Sequence, residues 1–140
     1  MGRVSRRQML STSAGILAGS AGCSMITGSD TATVELLAVG ATNRTGTVQT
    51  VHSIVIDEEK EEILYWGSNE VESGDTWGYE FEEGRRPSQY TVRVRVNDRT
   101  KTAHPHEWGV ECTWATAHLE QPENELQLSI PEAHLDCDNL

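Results

Sequence analysis

From residue 32 onward the chain alternates apolar and polar positions with a period of two. Tyr90, Val92, Val94 and Val96 are separated by Thr91, Arg93 and Arg95, so an extended chain here has one apolar and one polar face. Trp77, Tyr79 and Phe81 alternate with Gly78, Glu80 and Glu82, and Leu126, Leu128 and Ile130 with Gln127 and Ser129 until Pro131 stops the run. Residues 34–39, 48–56 and 63–66 are three further β-rich segments, and 108–119, mixing Val, Thr, Trp and Ala, is a seventh. A helical period shows only at 58–65, over too few residues to specify a helix.

Turn residues separate these segments: Asn43-Arg44-Thr45-Gly46, the acidic stretch 57–62, Ser73-Gly74-Asp75, residues 84–87 and Asn97-Asp98. Seven short strands punctuated in this way predict an all-β domain, a single antiparallel β-sandwich over residues 32–140. The acidic stretch lacks the Asp-x-Asp-x-Asp-Gly order of a calcium loop and reads as a solvated hairpin tip. The segment from Tyr90 resembles the Tyr-x-Val-x-Val strand of immunoglobulin-like and fibronectin-like domains, which implies an immunoglobulin-like shape. The Cys…Trp…Cys spacing of antibody domains is absent.

The first 31 residues follow a different pattern. Arg3, Arg6 and Arg7 form a positive head, and Ser5-Arg6-Arg7-Gln8-Met9-Leu10 matches a twin-arginine export motif. A weakly apolar run from Met9 to Ala21 follows, shorter than the roughly 20 apolar residues a membrane span needs but suited to a signal peptide. It ends at Ser20-Ala21-Gly22-Cys23, which resembles the lipobox of bacterial and archaeal lipoproteins, with Ser20 where that pattern prefers Leu. The resemblance implies cleavage of residues 1–22, acylation of the Cys23 thiol and anchoring at the outer face of the cell membrane. Residues 24–31 are small and polar, as a tether would be.

Charge sharpens this picture. Acids outnumber bases 22 to 11, giving a formal charge of −11. Cleavage before Cys23 removes three arginines and no acid, which takes the charge to −14. Such a balance argues against nucleic acid as a partner, because phosphate binding needs clustered cations. With Lys60 and Lys101 the only lysines, the chain resembles the twin-arginine-exported lipoproteins of salt-loving archaea. That resemblance implies acids that hold water at the surface rather than bind ligands.

Candidate chemistry is sparse. With Cys23 in the signal, Cys112 and Cys137 remain as an even pair in an oxidising compartment, and a disulfide between them is expected. His104-Pro105-His106 is the one close histidine pair. In an extended chain residues two apart share a side, so these rings are candidate zinc or copper ligands, with His118 or Cys112 completing a cupredoxin-like set. Asn43-Arg44-Thr45 fits a glycosylation acceptor and equally a plain turn. No nucleophile elbow or phosphate-cradling glycine loop occurs, and with so many acids carboxylate pairs arise by chance. Trp66, Trp77, Trp108 and Trp114 offer two readings: an exposed aromatic platform for sugar or peptide binding, or, as expected for most of them, core residues, since few other aromatics are present to fill it. The expected role is non-enzymatic and needs no cofactor: binding or structure at the cell surface, toward an envelope protein or glycan.

The excess of carboxylates makes the folded domain self-repelling in dilute buffer. Its melting temperature should therefore climb with salt into the molar range, and a flat series of thermal melts would contradict the reading of the acids.

Overall fold

The computed structural model describes residues 32–82 and 86–140. The chain divides into Met1–Thr31 and Ala32–Leu140, and the second unit is the β-domain. The expectations for Arg6, Arg7, Cys23 and the tether lie outside the described residues.

The domain is an all-β sandwich of two four-stranded sheets. Its strands are β1 (Glu35–Arg44), β2 (Gln49–Asp57), β3 (Glu62–Val71), β4 (Thr76–Glu80), β5 (Tyr90–Val96), β6 (Arg99–Ala103), β7 (Cys112–Glu120) and β8 (Gln127–Ser129). One sheet has the order β4-β1-β7-β8, the other β3-β2-β5-β6.

The sandwich differs from the expected one in two respects. There are eight strands rather than seven, because Arg99–Ala103 pairs with β5 across the two-residue loop Asn97-Asp98. Four of its five residues are exposed, so it carries no apolar alternation by which to be seen. The sheets are also not wholly antiparallel, since β1 and β7 run parallel from Glu35↔Cys112 to Arg44↔Glu120.

The apolar face of β5 is realised as read, with Tyr90, Val92, Val94 and Val96 buried; on the polar face Arg93 and Arg95 face solvent, while Thr91 is buried against His104. Val51, Ser53, Val55 and Asp57 of β2 point inward beside them. On β1 a bulge between Leu36 and Ala38 shifts the phase, which lets both Leu36 and Val39 reach the core despite their odd separation. Ala115, Ala117 and Leu119 complete the facing layer.

This core is made of small side chains, and Tyr90 is its one fully buried aromatic among the described residues. The tryptophans are therefore not core residues. Trp77 and Trp108 are half-buried at the margin, while Trp66 and Trp114 are 79% and 44% exposed. The interior is filled by valines and alanines with Leu36, Leu119 and Tyr90. Instead Trp77, Tyr79 and Phe81 gather along the sandwich margin with Tyr65, whose ring centroid lies 5.6 Å from Trp77 and 4.8 Å from Tyr79. Gly67 makes room for this cluster, as a Cβ there would sit 2.5 Å from the Tyr65 hydroxyl.

Buried polar groups tie the two sheets at both ends. At one end Asn43, wholly buried, donates its amide protons to the carbonyls of Thr47 and Val71, both at 2.8 Å. Its Oδ1 accepts from the Thr45 amide (2.9 Å) and hydroxyl (2.7 Å). One side chain thus closes the β1–β2 turn and holds the last residue of β3. At the other end Asp57, only 2% exposed, accepts from the backbone of Glu59 and Lys60 and from the Ser88 hydroxyl. Ser88 in turn bridges Val34 through backbone bonds of 2.9 and 3.1 Å. The acidic stretch is a hairpin tip as expected, but its first carboxylate is a structural cap rather than surface decoration. Near this end the Tyr90 hydroxyl donates to the Arg86 carbonyl at 2.7 Å.

The expected disulfide is present: Cys112 and Cys137 are bonded, with Cα atoms 5.9 Å apart. Together with the Thr113 hydroxyl donating to the Ala133 carbonyl at 2.6 Å, it holds the C-terminal tail on the start of β7. Closing a loop of 25 residues stabilises by about 3.5 kcal/mol in the chain-entropy model. Cys112→Ser should lower the unfolding free energy by about that amount under oxidising conditions and leave it nearly unchanged under strong reduction. Equal losses in both would show that the bridge contributes nothing. Asn43→Ala strands two carbonyls and opens the turn, so denaturant melts should show a loss of roughly 2–4 kcal/mol.

Candidate functional site

The two histidines flank Pro105 and do not lie on an extended strand. Pro105 instead opens a short 3-10 turn over Pro105–Glu107. His104 and His106 still end close together, with ring centroids 5.8 Å apart in an edge-on arrangement. Each spends one nitrogen on the start of β5: Nδ1 of His104 meets the Thr91 hydroxyl and Nδ1 of His106 the Tyr90 carbonyl, both at 3.2 Å. These contacts pin the turn to the sheet. The residues suggested to complete a copper-type set are not brought to them. Cys112 is in the disulfide, and His118 lies on β7 of the other sheet, opposite Thr42 and Ser129. Among the described residues no group of three His, Cys, Asp or Glu side chains is placed to hold a metal ion.

Asn43, the candidate glycan acceptor, lies inside the folded domain. Its amide nitrogen is buried and donates both protons to backbone carbonyls.

The most distinctive surface is the outer face of the β3-β2-β5-β6 sheet, and it follows from the same alternation that makes the core. Tyr65 is drawn inward by Trp77 and Tyr79, so the next residue, Trp66, must point out. In register across the strands, Trp66 lies beside Ile54, Ile54 beside Arg93, and Arg93 beside Thr102. The adjacent row reads Ser68, His52, Arg95, Thr100. Strand spacing sets Trp66 about 10 Å from Arg93, and the two arginines lie about 7 Å apart along β5. Ile63, 52% exposed, extends the apolar end of this face. A shallow groove of about 270 Å³ runs between Trp66 and the arginines, over Ile54, His52 and Thr100.

Electrostatics set this face apart. Glu70 is the one carboxylate at its outward strand positions, in a chain with 22 acids. Arg44 and Arg99 pair with Glu120 and Glu125, at 3.8 and 2.9 Å. Among the described residues no carboxylate lies within ion-pair distance of Arg93 or Arg95. Arg93 reaches the Thr102 hydroxyl at 3.4 Å through Nε, and His52 is held by the Ser68 hydroxyl at 2.6 Å. The arrangement offers a flat indole, a narrow apolar strip and two guanidinium forks, which suits binding.

The alternation of Arg93 and Arg95 was readable in the sequence, but the exposure of Trp66 was not. The signal available was its place next to Tyr65 and opposite Ile54, which decides its side only once the pairing is known. No protein-family model, no curated protein and no solved structure matches the chain.

Proposed function

We propose that the protein is an exported, lipid-anchored binding module that presents the outer face of the β3-β2-β5-β6 sheet to another component of the cell envelope. The observation that carries this reading is Trp66, 79% exposed beside Ile54 and two arginines with no ion-pair partner among the described residues. Leaving so large an apolar side chain in water forgoes burial free energy on the order of 2–3 kcal/mol, which a binding partner recovers by covering it. Compartment and tether are supported by the twin arginines, the apolar run and the small residues leading to Cys23. The Cys112–Cys137 bridge fits the same compartment, since such bonds persist where the surroundings are oxidising. On this reading the domain acts by holding, not by catalysis, and its tether keeps it at the outer face of the membrane.

Mass spectrometry of the protein recovered from its native membranes tests the anchor. The mature chain should begin at an acylated Cys23 and partition with detergent, and Cys23→Ala should release the protein from the membrane fraction. An unmodified N-terminus at another residue, in a detergent-free soluble fraction, would overturn the tether.

A further inference from the structure

We infer that the groove between Trp66 and the Arg93–Arg95 pair takes an acidic polysaccharide, a polymer of sugars carrying carboxylate or sulfate groups. The inference rests on the proposal that this face is the binding surface, and it names the chemistry of the occupant. Charge complementarity is its first support. In a domain where carboxylates are abundant enough to neutralise Arg44 and Arg99, Arg93 and Arg95 stand on a face whose strands carry a single outward acid. A guanidinium fork binds a planar carboxylate or a sulfate edge through two parallel hydrogen bonds, and two forks about 7 Å apart fit a chain bearing repeated anionic groups.

The second support is the mixture of polar and apolar groups. Trp66 offers a broad apolar plate, against which the C–H face of a sugar ring lies flat. Ser68, Thr100 and Thr102 stand in the same two rows and supply hydroxyls to the ring substituents. An apolar protein partner would call for a wider dry patch than Trp66, Ile54 and Ile63 provide. The span of about 10 Å from Trp66 to Arg93 asks for an occupant running across the strands, which an oligosaccharide segment does.

Repulsion from the remaining acids acts at longer range. In about 1 M salt the screening length falls to roughly 3 Å, so those distant charges are muted while direct fork and stacking contacts persist.

The test is titration of the full chain, in molar salt, with polygalacturonate as the carboxylated probe and heparin as the sulfated one. Neutral dextran and oligo-dT serve as the contrasting polymers. Saturable binding of at least one acidic polysaccharide is expected, about tenfold or more tighter than dextran or oligo-dT. The tighter of the two acidic probes identifies the anionic group. Trp66→Ala, and separately the double change Arg93→Gln and Arg95→Gln, should each weaken it about tenfold, while Trp114→Ala on the other sheet leaves it unchanged. Far-ultraviolet circular dichroism checks that each variant keeps its strands. Equal binding of oligo-dT or dextran, affinity indifferent to Trp66→Ala, or no binding of either acidic probe would overturn the inference. In that last case, photo-crosslinking from position 66 on native membranes separates the two readings. A crosslink to an envelope protein removes the polysaccharide and keeps the binding face, whereas no crosslink removes both.

Discussion

Asn43 sits at the end of the sandwich with every hydrogen-bonding group of its side chain engaged, and the pairing of the two sheets depends on it. It belongs to β1 in one sheet, yet it holds the end of β3 in the other and the turn that delivers the chain to β2. The reason such a tie is needed lies in the core. Valine against alanine buries modest area per residue, so apolar contact alone leaves the layers weakly registered. Buried polar contacts are directional, and a shifted sheet would leave them unmade at full desolvation cost. Asp57 and Ser88 do the equivalent at the far end, and the Cys112–Cys137 bridge fastens the tail.

The thin core has a second consequence, which bears on function. Apart from Tyr90, the large aromatics lie along the margin and the outer faces. Tyr65, Trp77, Tyr79 and Phe81 pack against one another along that margin. The strand period then forces Trp66 to the outside of the sheet, into the row that contains Ile54 and Arg93. A packing constraint inside the sandwich thereby places an indole next to cationic groups on its surface. The proposed binding face and the core are two sides of the same strands, and substitutions that moved Tyr65 would be felt at Trp66.

The acids serve two purposes that composition cannot separate. Most stand in water on turns and strand ends, as Glu58, Glu59, Glu61 and Glu62 do. Asp57, adjacent in sequence, is buried and bonded to three groups. Their scarcity on one sheet face is equally invisible in a total of 22, because it depends on which strands are neighbours.

The seven strands read from alternation and β-rich composition are all present, and the inward apolar set of β5 agrees residue by residue, because burial on one face of a strand writes itself directly into alternation. The cysteine pairing was also legible, since only two thiols remained once Cys23 was assigned to the signal. β6 escaped notice because an exposed edge strand needs no apolar residues. Pairing direction escaped for a different reason: parallel and antiparallel neighbours impose the same alternation, so nothing local distinguishes β7 beside β1. Sequence alone thus determined the class of fold, the inward faces and the staple, which follow from local periodicity and counting. Only the tertiary structure decided that Asn43 and Asp57 are buried and that Trp66 stands exposed beside Arg93. Those outcomes depend on contacts between segments far apart in the chain, and no local pattern encodes them.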